Sequence, residues 1–335
     1  MDGFVNVLKP KGITSHDAVL QVRKIFGERR VGHLGTLDPM AVGVLPMALG
    51  CYTRLSEFLL DEDKEYLTEF VFGISTDTCD LDGRIISRAQ CSRLSASDVT
   101  RLLGNYTGRI KQRPPMYSAV HVKGQRLHQL ARRGIEVQVP EREVDVYEFR
   151  LLHWKPGPHP RGMFHLRVGR GTYVRSLARD LGDDLGCGAA VSYLLRTRVG
   201  SFALKDSVPL CSMKRRACGY PLEGFLTQPV QVFSNFPQFE IRTDALSRVA
   251  NGGPIGPGDF TAPDEVRAWM ERVCAGKWDK STVFVGLYRH PRTKAHEIAC
   301  VLSLVPVQGK CRIKYERVLV SRKSDSIEDR GNTRS

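Results

Sequence analysis

Arg30-Val-Gly-His-Leu-Gly-Thr-Leu-Asp-Pro-Met-Ala-Val-Gly-Val-Leu-Pro-Met-Ala-Leu-Gly50 sets glycines at 32, 35, 43 and 50 and prolines at 39 and 46 among small apolar residues. Glycine opens backbone conformations closed to other residues, and a proline restricts the residue before it. Asp38, which precedes Pro39, is therefore turned away from helical geometry and placed on a loop. On the N-terminal side, Ala18, Val19, Val22, Ile25 and Phe26 recur at helical spacing, with Ser15 as N-cap and Gly27 as stop, which predicts an amphipathic helix. An Asp before a Pro is by itself an ordinary turn former, so position alone does not make Asp38 functional.

Outward from this loop, Tyr66-Leu-Thr-Glu-Phe-Val-Phe-Gly-Ile74 reads as a strand with Phe70, Phe72 and Ile74 on one face, and the Asp80-Leu-Asp-Gly83 turn leads into Arg84-Ile-Ile-Ser. Ser95 and Asp98 have capping-box spacing ahead of a short helix ending at Gly104. Further strands are predicted over 117–122, 143–154 and 163–168 and, as a pair, over 191–204. Helices are predicted after Lys123-Gly124 up to Gly134 and from Thr172, the second with Val174, Leu177, Ala178, Leu181 and Leu185 as its apolar stripe. Strands and helices mix without regular βα alternation, so the fold class is α+β rather than doubly wound. Residues 206–236 read as a connector. Short strands at 239–243, 282–288, 297–304 and 312–320 predict a small C-terminal β-barrel over 237–321, interrupted by a helix at 264–275 carrying Trp269. The polar stretch 322–335 is expected to be disordered.

At 335 residues, two domains are the expectation. Lys and Arg number 50 against 36 Asp and Glu, and the net charge of +14 favours a polyanionic partner. Charge distribution sharpens this. Between Arg109 and Arg133 stand seven Lys or Arg (Arg109, Lys111, Arg113, Lys123, Arg126, Arg132, Arg133) with no acidic residue, whereas a merely solvated face usually alternates sign. That pattern suits a phosphate backbone. The nine cysteines are odd in number, scattered and without a Cys-x-x-Cys pair, so they read as reduced thiols rather than a disulfide or zinc framework. Neither a signal segment nor a membrane-length apolar run is visible, and a cytoplasmic protein is expected.

Six segments carry a more specific message: the quoted loop, Lys9-Pro10-Lys11-Gly12-Ile13-Thr14-Ser15, Lys64-Glu65-Tyr66, Arg113-Pro-Pro-Met-Tyr-Ser-Ala119, Gly171-Thr-Tyr-Val-Arg175 and Tyr193-Leu-Leu-Arg196. In their order along the chain, over about the first two hundred residues, they resemble the TruB family of pseudouridine synthases. The resemblance implies a catalytic domain with a mixed, mainly antiparallel sheet and flanking helices, an RNA-gripping insertion at 109–140, and a PUA-like barrel at 237–321. It implies conversion of uridine to pseudouridine at position 55, in the T-loop of transfer RNA, without a cofactor or metal. A stand-alone monomer acting without guide RNA is expected.

By the same resemblance Asp38 is the catalytic carboxylate and Tyr66 an active-site aromatic able to stack on an extruded base. Arg175, in the first turn of its helix, pairs with the aspartate and favours its charged form. His33 helps turn the nucleotide out of its loop; no second His or Cys stands at ligand spacing beside it, which argues against a metal. Leu194 contacts the base, Lys9 supports the site, and Arg113, Lys123, Arg126 and Arg132 bind phosphates. Isomerising uridine breaks a glycosidic bond and makes a bond to carbon, which one carboxylate can assist by attack or by abstracting a proton. A retaining glycosidase would need a second carboxylate, and Asp77, Asp80 and Asp82 read instead as a solvated hairpin tip. A non-catalytic RNA chaperone would need only the basic stripe, and a guide-RNA-dependent synthase is disfavoured by that same stripe.

Overall fold

The computed structural model describes residues 1–118, 120–122, 125–127, 130, 133, 135, 137–216, 221–275, 282–291, 293–307 and 310–320. Its main sheet is built on seven strands: β1 (Gly3–Lys9), β2 (Val42–Leu49), β3 (Lys64–Phe72), β4 (Gly108–Gln112), β5 (Arg142–Lys155), β6 (Arg161–Val168) and β7 (Ala189–Val199). They lie in the order β1-β2-β7-β3-β6-β5-β4. Only the β2–β7 contact along this path is parallel, the rest being antiparallel. This is the mixed, mainly antiparallel α+β sheet expected.

Burial patterns follow from what covers each part. β1 and β2 are buried along nearly their whole length, because helix α1 (Ser15–Phe26) packs on one face and the C-terminal sheet on the other. β6 alternates between buried and half-buried residues, as a strand with one open face should. On the covered face, Ala18, Val19 and Val22 of α1 and Leu177, Ala178 and Leu181 of a second helix, α2 (Val174–Asp184), belong to one core cluster with Phe70, Phe164, Leu166 and Val191. The opposite face, with Phe4, Val44 and Ala48, meets Val285, Leu287, Ile298 and Val301.

The N-cap of α1 is Thr14, not Ser15. Asp17 returns the bond that Thr14 gives, a reciprocal capping box, and this leaves the Ser15 hydroxyl free for another partner. The connector is stitched to the edge of the main sheet: Val208–Pro209 pairs parallel with β1, and Leu226–Thr227 pairs antiparallel with it.

The C-terminal strands β8 (Gln238–Glu240), β9 (Val283–Arg289), β10 (His296–Val307) and β11 (Lys310–Val318) form an open four-stranded sheet in that order. Among the described residues no closed barrel is found. β8 is three residues long, and helix α3 (Pro263–Ala275) sets Trp269 edge-on to Phe284 with ring centroids 4.9 Å apart. Cys274 at the end of α3 and Cys311 on β11 are joined as a disulfide, which corrects the reading of all nine cysteines as free. They stand 37 positions apart, and only the tertiary fold brings the pair together. The expected helix up to Gly134 and the 322–335 tail fall largely or wholly outside the described residues.

Gly43 has φ 121°, and a Cβ there would overlap the Arg196 carbonyl oxygen across the β2–β7 contact. Gly43→Ala should destabilise the chain by at least about 2 kcal/mol, read as a shift of the denaturant midpoint.

Candidate active site

Asp38 stands at the end of a loop whose main-chain groups are held almost peptide by peptide. The Leu34 N–H donates to the Pro46 carbonyl at 2.8 Å. The Gly35 and Thr36 carbonyls each accept from the Arg196 guanidinium at 3.0 Å. The Ser15 hydroxyl accepts from the Leu37 N–H and donates to the Leu37 carbonyl, both at 2.8 Å. Ala41 N–H closes a turn on the Asp38 carbonyl at 3.1 Å, and the Pro39 carbonyl accepts from Gly12 N–H at 2.8 Å. A loop bonded in this way holds its side chain in one place before any ligand arrives.

Opposite it, Arg175 projects from the first turn of α2. Its Nε donates to Asp38 Oδ2 at 2.8 Å and its Nη2 to Asp38 Oδ1 at 3.0 Å, a bidentate pair of the strong, charge-assisted kind. Its remaining donors reach the Thr78 and Tyr117 carbonyls at 2.9 and 3.0 Å. The Arg175 side chain is 5% exposed and the Asp38 side chain 29%, so the cation is sunk in protein while the carboxylate keeps an open edge. Burial opposes the Arg175 charge, but the Asp38 and Asp80 carboxylates outweigh it and raise the guanidinium's pKa.

Asp80 corrects the reading of its segment as a solvated hairpin tip. It is 5% exposed, its Oδ2 lies 3.6 Å from Arg175 Nη1, and its Oδ1 accepts from the Thr78 hydroxyl at 2.7 Å and the Asp82 N–H at 3.1 Å. A lone bridge to Val191 pins the turn onto the sheet. Burial pushes the Asp80 carboxyl above the ordinary aspartate value, against the pull of Thr78 and Arg175. In sequence Asp77, Asp80 and Asp82 look alike, and nothing marked the middle one as buried.

Tyr66 and Leu194 are both buried and lie in one core cluster with Leu37 and Val174, the chain neighbours of Asp38 and Arg175. Strand register sets Thr68 opposite Leu194 and Tyr66 opposite Arg196, so these side chains share the sheet face beneath the loop. His33 ends a short strand, Val31–His33, rather than lying on the loop proper, because that strand pairs with Met47–Leu49. Its Nδ1 is buried with no hydrogen-bond partner among the described residues, and burial, followed by the nearby Arg196 charge, lowers its pKa. Lys9 is fully buried, its Nζ donating to the Pro10, Ile13 and Pro39 carbonyls at 2.8, 2.9 and 3.4 Å.

Of the basic stripe, Arg109 pairs with Asp145 at 3.2 Å and Arg113 lies 3.7 Å from Glu141, both exposed. The same segment also builds the site. Gln112 bonds both the N–H and the carbonyl of Tyr173, and the Arg113 carbonyl accepts from Ser176 and Arg179, clasping the start of α2. The backbone of Arg126 pairs with His121; Lys123 and Arg132 lie outside the described residues.

Residues 23–174 match the family model of the TruB family pseudouridylate synthase (N terminal domain), and residues 175–219 match that of the tRNA pseudouridylate synthase B C-terminal domain. The tRNA pseudouridine synthase B of Moorella thermoacetica is 45% identical over 262 residues, covering 78% of this chain and 85% of the relative. That of Pelotomaculum thermopropionicum is 44% identical over 258 residues, covering 76% and 81%. Among solved structures, a chain of an H/ACA RNP bound to a substrate RNA containing 2′-deoxyuridine superposes with a TM-score of 0.65 at 21% identity, covering 96% of this chain and 86% of that one. That likeness shows the fold.

Among the described residues, Lys9 and Lys64 are buried ammonium groups beside this loop. Burial lowers each from 10.5 to about 8; Arg196 adds to both shifts, and Asp38 opposes that of Lys9. The folded chain thus releases these protons before the unfolded chain does. The cost of burying the charges is fully present below about pH 8 and is relieved as pH rises toward 10.5. Lys9→Met has one such charge fewer, so its melting temperature, relative to wild type, should gain less between pH 8 and 10. Parallel pH profiles for the two proteins would contradict this.

Proposed function

Because the chain belongs to the TruB family of pseudouridylate synthases, we propose that it isomerises uridine to pseudouridine at position 55, in the T-loop of transfer RNA, with Asp38 as the catalytic carboxylate acting on a flipped-out nucleotide. The observation that carries this reading is the Asp38 carboxylate itself: gripped on one side by a buried bidentate guanidinium, open on the other, and set on a loop with little freedom to move. The reaction breaks the bond between ribose C1′ and base N1, turns the base, and joins C5 to C1′. The C5 proton leaves and N1 takes one up, so composition and oxidation state are unchanged and the step asks for a carboxylate rather than a cofactor.

In this reading Tyr66 lies against the base with Leu194 as an apolar contact, His33 helps hold the nucleotide out of its loop, and Lys9 supports the site. Burial of Tyr66 and Leu194 beneath the Asp38 loop supports the first two roles. Arg113, Lys123, Arg126 and Arg132 bind phosphates of the T-arm from the 109–140 insertion. Residues 1–205 are the catalytic unit, 206–236 the connector, and the C-terminal sheet within 237–321 a PUA-like RNA-binding unit. The enzyme works as a monomer in the cytoplasm without guide RNA, a reading favoured by the coverage of relatives named tRNA pseudouridine synthase B.

Purified protein incubated alone with unmodified transfer RNA transcript should yield pseudouridine at one T-loop uridine, while Asp38→Asn yields none yet still binds the RNA. Product from the variant would remove Asp38 from its role, and its absence with wild type would remove the reading. Arg175→Lys keeps the charge but loses the planar fork, and should lower the single-turnover rate about a hundredfold with RNA affinity little changed.

A further inference from the structure

We propose that Arg196 is a positioning residue of the catalytic loop, setting where Asp38 stands by binding the loop's own carbonyl groups. The inference rests on the reading of Asp38 as the catalytic carboxylate. Arg196 lies on β7, 1% exposed, and its donors go to three different main-chain carbonyls. Nε donates to Val44 at 2.8 Å, Nη1 to Thr36 at 3.0 Å and Nη2 to Gly35 at 3.0 Å. Two of these carbonyls lie on the loop just before Asp38, and the third lies on β2, the strand into which the loop runs. One planar group therefore spans the entry and exit of the loop and fixes both against a strand of the central sheet.

Geometry makes this arrangement specific to arginine. Three donors leave the guanidinium in fixed directions, whereas a lysine ammonium on a flexible stem cannot reproduce the fork. Arg196 sits opposite Gly43 in the parallel β2–β7 register, and the missing Cβ of Gly43 is what lets the two backbones approach. Burying a cation is costly, and here the compensation comes from carbonyl dipoles. An apolar side chain would fill the same space at less cost to folding alone. The gain from the charge lies in the loop geometry it imposes. Its field also reaches the neighbouring motif residues, since Arg196 adds to the burial effect that lowers Lys9, Lys64 and His33.

Arg196→Lys and Arg196→Met separate this role from packing. Single-turnover pseudouridine formation on unmodified transfer RNA transcript should fall about tenfold for Lys and about a hundredfold for Met. The Kd for the transcript should stay within about twofold of wild type, both variants should melt cooperatively, and amide exchange should quicken at residues 34–38 but not in β6. Partial recovery by Lys and a loss confined to the chemical step are results a packing role would not produce. The proposal is overturned if a folded Met variant reacts at the wild-type rate, if the loss lies in Kd, or if neither variant folds, since Arg196 would then serve the core and not the loop. A wild type that forms no product would overturn the functional reading instead, and amide exchange at 34–38 would then decide for or against Arg196.

Discussion

The bidentate contact between Asp38 and Arg175 joins residues 137 positions apart, and much of the main-sheet unit serves to hold its two ends. One end is a loop with almost no main-chain freedom: Ser15 reaches it from the start of α1, Arg196 from β7, Gly12 and Lys9 from the segment before α1. The other end is the first turn of α2, clasped by Gln112 and by the Arg113 carbonyl. A charge-assisted pair gains its strength from such fixed geometry, because neither partner must be ordered when the contact forms.

Placing so many cations inside a protein requires compensation, and the structure supplies it in two ways. Arg175 faces two carboxylates, Asp38 and Asp80, together with two carbonyls. Lys9, Lys64 and Arg196 are bonded to main-chain carbonyls. Carbonyl dipoles offset a charge less completely than a carboxylate does, which is consistent with Lys9 and Lys64 being pushed down to about 8. The price in stability falls next to the loop whose precision the proposed chemistry demands, where strain and buried charge are most often tolerated.

Helices with clear periodicity and strands with alternating or β-rich residues were legible because their signals are local: the stripe of α2, the capping box before Gly104 and the α+β class all stand as read. Where the reading missed, the deciding contact was distant. Thr14 and not Ser15 is the N-cap, and the Ser15 hydroxyl instead bonds Leu37, 22 residues away. The C-terminal strands were placed within a few residues, but four strands can pair openly or close, and no local pattern distinguishes the two. Cys274 and Cys311 carry no motif that would announce their pairing.

That Asp38 lies on a Gly-rich loop before a proline, that Arg175 opens a helix, and that ordered motifs tie both to one family can be read along the chain, because these are properties of neighbours in sequence. Which of three similar aspartates is buried beside Arg175, that part of the basic stripe clasps the start of α2, and that Arg196 binds the loop's carbonyls emerge only in the folded chain. Burial and hydrogen-bond partners depend on what the rest of the fold brings near, and no residue carries that information alone.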